Sequence, residues 1–112
     1  MLEYVEFAKK LADTSGGVIE KYFRSDISVE DKVDKSPVTV ADRETELVLR
    51  KMITEKYPEH DILGEEFGLN HSGSKMKWIL DPIDGTRSFI LGLPIFGTLI
   101  SLVVNGRPCL GV

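Results

Sequence analysis

Asp81 and Asp84 carry the greatest capacity for chemistry in this chain. They stand three apart in the stretch Trp78-Ile79-Leu80-Asp81-Pro82-Ile83-Asp84-Gly85-Thr86. The two carboxylates can face one small volume, and the Ile83 carbonyl can point there too. Oxygen donors gathered around one point suit a hard cation such as Mg²⁺. Gly85 allows close backbone approach, and Thr86 can open a short helix whose free N–H groups suit a phosphate. A metal and a phosphate side by side form the layout of a phosphoryl-transfer site. Taken alone, Asp-x-x-Asp-Gly reads more simply as an Asp turn followed by a helix cap. The rest of the chain has to decide.

Three further acids bear on the choice. Gly64-Glu65-Glu66 follows a short apolar run, His60 to Gly64, that reads as a strand. Adjacent glutamates on extended backbone point opposite ways, so only one can ligate a given metal directly and the other is offset. Glu65, Asp81 and Asp84 then come from two strand ends, which can converge at one edge of a sheet. Asp42 sits at the start of a helical pattern, where a carboxylate complements the helix dipole. No Ser-His-Asp set, phosphate-binding glycine loop or Cys/His zinc spacing competes.

The elements that must position these acids are legible in outline. Residues 2–24 read as an amphipathic helix with Val5, Ala8, Leu11, Ala12, Ser15, Ile19, Tyr22 and Phe23 on one stripe. Gly16 and Gly17 interrupt it, each at a cost of roughly 1 kcal/mol; they mark either close packing or a bend. Residues 25–38 read as a polar loop, with room for a short strand from Ile27 to Val33. A second helix is expected from Val40 to Tyr57, capped by Thr39 and Asp42 and stopped by Pro58. Its buried face is Ala41, Thr45, Val48, Leu49, Met52 and Ile53. Phe67 to Lys77 reads as loop, with His71 in it. Trp78 to Leu80 is a short buried strand expected to end at Asp81, because Pro82 lacks an N–H. A helical piece from Arg87 to Leu91 precedes an apolar strand from Ile95 to Val104. Asn105-Gly106 marks a hairpin and Arg107 to Val112 the returning strand. The expectation is α+β: two helices and about five strands, the helices packed on one face of a largely antiparallel sheet.

Composition narrows the partners. The 112 residues are 42% apolar and 29% charged, enough for one globular domain. A net charge of -4 with no basic run argues against a nucleic-acid surface. No apolar stretch reaches the ~20 residues of a membrane span, and Met1-Leu2-Glu3-Tyr4 has no signal-peptide character. The single cysteine, Cys109, excludes an internal disulfide and fits a reducing, cytoplasmic setting; in a predicted strand, it is expected to be a small core residue. The chain stops inside an apolar run, as expected of a truncated protein or of a half that needs a partner. An open strand edge there invites pairing into a homodimer or another assembly.

The pattern as a whole resembles the inositol monophosphatase family of Mg²⁺-dependent, often lithium-sensitive phosphatases. The resemblance lies in Gly64-Glu65-Glu66, in Trp78 to Thr86, and in Lys35-Ser36-Pro37-Val38-Thr39-Val40-Ala41-Asp42. It covers essentially the whole chain but only the N-terminal half of a family member. Gly64-Glu65-Glu66-Phe67-Gly68, Asp84-Gly85-Thr86-Arg87-Ser88-Phe89-Ile90, and Gly92-Leu93-Pro94 before Gly97-Thr98-Leu99-Ile100 look most like the histidinol-phosphatase branch.

The resemblance implies the N-terminal portion of the inositol monophosphatase and fructose-1,6-bisphosphatase-like sugar-phosphatase fold. It also implies roles. Glu65, Asp81 and Asp84 would ligate metal by side chain and Ile83 by its carbonyl, with two or three Mg²⁺ ions in a complete site. Glu66 would lie near a further, weaker ion or behind the ligands. Asp42 and Thr86 would orient the water that attacks phosphorus. Gly85 and Thr86 would offer N–H groups to the phosphate, with Lys35 close by on its loop. The family carries a further metal-binding aspartate in a Trp-Asp segment of its C-terminal half, together with most specificity residues. This chain has no such segment after Thr86. The implied activity is hydrolysis of a small phosphorylated metabolite. Histidinol phosphate leads, and inositol 1-phosphate or another sugar or nucleotide phosphate follows. The competing expectation is a cation- and phosphate-binding chain without turnover that pairs with another chain.

Overall fold

A computed structural model describes residues 2–22, 40–70, 73–84 and 97–112. Two helices, α1 (Leu2–Tyr22) and α2 (Val40–Lys56), pack on a five-stranded sheet. Its strands are β1 (Asp61–Gly64), β2 (Gly68–Asn70), β3 (Met76–Asp84), β4 (Gly97–Val104) and β5 (Arg107–Gly111), in spatial order β2-β1-β3-β4-β5. The β1–β3 pair is parallel and the other three pairs are antiparallel. The α+β architecture expected from the sequence is the one observed.

Burial joins both helices and the three central strands, β1, β3 and β4, in one core. Phe7, Ala8 and Leu11 of α1 meet Leu49 and Ile53 of α2 over Ile62, Trp78, Leu80, Ile100 and Leu102 of the sheet, and Val18, Ile19 and Ala41 are buried as well. Phe7 and Val18 join the expected stripe of α1. Val5 is only partly buried, and Phe23 lies outside the described residues. Gly16 and Gly17 are exposed and have no neighbouring atom where a Cβ would stand, so close packing does not explain them. The helix runs through both without a break.

Trp78 is fully buried at the centre of the core. Its indole N–H donates to His60 Nδ1 at 3.0 Å. His60 stacks on Tyr57, with ring centroids 4.5 Å apart and planes within 5° of parallel. The Tyr57 hydroxyl donates in turn to Glu3 on α1 at 2.5 Å. Burial raises the Tyr57 phenol well above its ordinary value, and the Glu3 carboxylate adds to the shift. Burial also holds the His60 imidazole below its ordinary value, against the opposing charges of Glu59, Asp61 and Glu3. A neutral ring is what the Trp78 contact requires, since Nδ1 must accept.

Three expectations for the sheet change. The loop expected from Phe67 to Lys77 contains β2, which pairs Gly68 with Gly64 and Asn70 with Ile62. Its Gly and Asn suggest a turn by propensity, but the exposed backbone of β1 supplies a ladder that propensity does not register. The strand expected to end at Asp81 continues to Asp84, with a register shift between these residues opposite β4. Pairing with β1 stops at Leu80, so among the described residues β3 is paired only with β4 beyond that point. Pro82 is tolerated at such an edge or bulge, and its carbonyl accepts the Thr98 hydroxyl at 2.6 Å. Cys109 is exposed on the edge strand β5 rather than in the core.

The Asn105-Gly106 hairpin is as expected, with φ of 53° and 77°, both in the left-handed region that a two-residue type I′ turn needs. The possible strand from Ile27 to Val33, the Thr39 cap, His71 and the helical piece from Arg87 to Leu91 lie outside the described residues. Among the described residues, no helix is long and apolar enough to cross a membrane.

Candidate active site

The parallel pair builds the edge on which the site rests. β1 and β3 run in the same direction, and β1 finishes with Gly64 opposite Leu80, from where β3 continues four residues further to Asp84. The Glu65 N–H continues the contact by donating to the Leu80 carbonyl at 3.2 Å. Glu65 therefore leaves the end of one strand beside the start of Asp81 on the next. Carboxyl ends of neighbouring parallel strands are where open sheets hold ligands. Along β3 the side chains alternate: Trp78, Leu80 and Pro82 are buried, while Ile79 and Asp81 turn to the other face. Asp81 there borders a cavity of about 480 Å³ that is also lined by Ile79, Leu99, Ser101 and Val112.

Helix α2 supplies the acids from the other side. Asp42, in its first turn, is only 2% exposed. One turn later Glu46 is fully buried. Its carboxylate accepts the backbone N–H groups of Glu66 and Phe67, both at 2.9 Å, and the Arg50 Nε–H at 2.9 Å. The Arg50 guanidinium also donates to the Gly68 carbonyl. The turn carrying Glu65 and Glu66 is thus tied to α2 at three successive residues, 66 to 68. Gly64 completes the fit. A Cβ there would stand 2.1 Å from a Glu46 carboxylate oxygen, so the glycine provides space. Its backbone is not among the positive-φ glycines.

The sequence reading missed Glu46 as a functional residue. Its signal was present: Glu46 and Arg50 are spaced i, i+4, and Glu46 falls on the same stripe as Asp42, Thr45, Leu49 and Ile53. A charged residue on an apolar stripe is a demand for a partner.

Electrostatics link these groups. The Glu66 carboxyl is pushed up to about 7, first by burial and then by the negative charges of Asp42, Glu46 and Glu65, with Arg43 opposing. Four acids therefore share one electrostatic neighbourhood, a setting that favours a cation. The donor set is oxygen throughout, which fits Mg²⁺. Among the described residues, no three ligating side chains gather closely enough to hold an ion. Of the expected ligands, Glu65 follows the end of β1, and Asp81 lies within β3, one residue past the last β1 partner, Leu80. Ile83 and Asp84 belong to β3 by backbone, Asp84 being opposite Gly97. Their side chains, and Lys35, Gly85 and Thr86 altogether, lie outside the described residues.

The two helices and the five-stranded sheet match part of the fold of solved inositol monophosphatases. The chain belongs to the inositol monophosphatase family, whose model matches residues 1–112. It is 50% identical over 104 residues to the bifunctional phosphatase IMPL2, chloroplastic, of Arabidopsis thaliana, covering 91% of this chain and 30% of that protein. It is 45% identical over 109 residues to a histidinol-phosphatase of Chlorobaculum parvum, covering 96% of this chain and 42% of the other. The solved structure of an inositol monophosphatase from Zymomonas mobilis superposes with a TM-score of 0.80 at 43% identity, covering 97% of this chain and 42% of that one. The chain thus spans well under half the length of these proteins.

Proposed function

We propose that residues 1–112 form the metal-binding part of a Mg²⁺-dependent phosphate monoester hydrolase. The observation that carries the proposal is the pairing of Glu65 with the end of β3 through the Leu80 carbonyl, within a chain of this family. Glu65, Asp81 and Asp84 would hold Mg²⁺ with the Ile83 carbonyl, Asp81 serving two ions and Glu66 a further one. Bound there, Mg²⁺ neutralises phosphoryl oxygens and stabilises the leaving oxygen. The chain's own groups do the rest. The Thr86 hydroxyl accepts a hydrogen bond from the attacking water and passes its own proton towards Asp42. Burial of Asp42 keeps that carboxylate oriented at the start of α2. The Gly85 and Thr86 N–H groups, with Lys35, bind the phosphate.

The substrate we favour is histidinol phosphate, on the branch-like motifs and the 45% identity to a histidinol-phosphatase. An inositol monophosphatase at 43% identity keeps inositol 1-phosphate as the alternative. The cytoplasm suits a chain with one thiol and no internal disulfide. The test is phosphate release by the natural protein carrying these residues, with millimolar Mg²⁺. Turnover should favour histidinol phosphate in kcat/KM and be abolished by Asp81→Asn. Better turnover of inositol 1-phosphate would remove the branch assignment, and no Mg²⁺-dependent release from any phosphate monoester would remove the function.

A second reading is favoured by the chain's span of 42% or less of the two curated relatives above. The 112 residues alone would bind a cation without turning substrate over, and would pair through the open strand edge with another copy. Robust release by the purified 112-residue chain, lost in Asp81→Asn, would eliminate that reading.

A further inference from the structure

We infer that Glu46 is a positioning residue that sets where Glu65 and Glu66 stand relative to Asp42 and Asp81. The inference rests on the proposed metal-binding role of Glu65. A fully buried carboxylate is unfavourable unless charge and hydrogen bonds compensate it, and an apolar side chain of similar size would serve the core better. Glu46 is compensated by the turn it faces and by its own helix: the N–H groups of Glu66 and Phe67 and the Arg50 guanidinium one turn on occupy its two oxygens. Arg50 closes the ring at the Gly68 carbonyl. One turn of α2 therefore grips the three residues that follow Glu65.

The grip has work to do. Glu65 and Glu66 are adjacent acids on a turn whose N–H groups at Glu66 and Phe67 are held by Glu46, and without that hold the turn would be free to swing away from α2. The element that secures the turn also carries Asp42, one helical turn before Glu46. A single rigid helix thus fixes the distance between the carboxylate that orients water and the glutamate that ligates metal. Reaction rates are sensitive to such distances: a misplacement of about 1 Å can lower them ~10²-fold.

The natural protein carrying residues 1–112 provides the test. Glu46→Gln retains shape but turns an N–H₂ towards one of two N–H donors, so one backbone bond is lost. Metal-free amide exchange should show Glu66 and Phe67 strongly protected in the native protein and at least ~10-fold less protected in Glu46→Gln. Mg²⁺ affinity by calorimetry should fall at least ~10-fold, and kcat ~10- to 100-fold with KM changed less than ~3-fold, where urea unfolding shows the variant folded. Arg50→Lys, the milder change, is read by the same criteria and decides the matter if Glu46→Gln does not fold. Unprotected amides in the native protein, protection retained in the folded variant, or lost protection with unchanged Mg²⁺ affinity would each overturn the inference. Glu65→Gln is measured alongside. If it leaves Mg²⁺ affinity unchanged, the assignment of the ligand fails, and amide protection still reports on the grip of Glu46.

Discussion

Gly64→Ala is a small change that should act through a single contact. The backbone at Gly64 is not in the left-handed region, so alanine is conformationally acceptable and would by itself stabilise by about 0.4–1 kcal/mol through the unfolded chain. The new Cβ, however, would stand 2.1 Å from one Glu46 oxygen and 2.3 Å from its Cδ. Reaching an ordinary contact needs a shift of more than 1 Å by a carboxylate held at 2.9 Å by two backbone N–H groups and Arg50. Hydrogen bonds to a charged group contribute about 1.5–3 kcal/mol each. Losing two of them, less the gain in the unfolded state, gives a net destabilisation of about 2–5 kcal/mol. In a Glu46→Ala background the obstacle is absent, and the same Gly64→Ala step should be neutral or stabilising. Urea unfolding followed by the fluorescence of Trp78, the only tryptophan, measures all four corners of the cycle. A sulfate buffer keeps the weaker variants folded at zero denaturant. The gain in the unfolded state cancels in the cycle, so the coupling should be about 3–6 kcal/mol. A Gly64→Ala effect equal in both backgrounds within about 0.5 kcal/mol would refute the argument.

Three further outcomes are expected. Asp84→Asn should leave unfolding by urea nearly unchanged while Mg²⁺ affinity by calorimetry falls strongly; unchanged affinity would remove Asp84 as a ligand. Thr86→Ala in the natural protein should lower kcat far more than it raises KM, in the ~10²–10⁴-fold range of positioned proton transfer, and an effect confined to KM would leave Thr86 a phosphate binder only. Burial holds the folded His60 pKa below its unfolded value of about 6.5, so the unfolded state binds more protons between the two values. The contribution of His60 is complete above about pH 6.5 and is lost as pH falls through the folded value. Urea midpoints between pH 5 and 7.5 should show this slope in the native chain and lose it in His60→Asn, whose amide oxygen can still accept the Trp78 N–H.

What was legible in the sequence was local in origin. Asn105-Gly106 declared its hairpin by two positions that favour positive φ, and the apolar spacing of α2 declared Leu49 and Ile53. Glu65 could be placed at a strand end because two glutamates follow an apolar run, whereas the end expected at Asp81 was misplaced, since β3 continues to Asp84. Features produced by neighbours distant in sequence were not legible. β2 exists because β1 offers it a ladder, and Gly68-Leu69-Asn70 has little strand propensity of its own. β3 runs past Pro82 because β1 has already ended there, a fact of sheet order. Cys109 is exposed because β5 is an edge strand. Glu46 looked like one more charge on a helix rich in them, and its role follows from the turn brought against it from 20 residues further along the chain.

The order of these elements along the chain also bears on synthesis. Asp42, the Glu46–Arg50 grip, the Glu65–Glu66 turn and both strands of the parallel pair lie between Val40 and Asp84. β2 falls between β1 and β3 in the chain, and 11 residues separate Gly64 from Met76. A ribosome delivers residues 40–84 in roughly 2–9 s at ordinary elongation rates. Closing loops this short carries a modest entropic penalty that grows only logarithmically with length. The acidic edge can therefore take shape on the nascent chain before β4 and β5 emerge. The proposed ligands Glu65 and Asp81 would then take their relative positions early in translation.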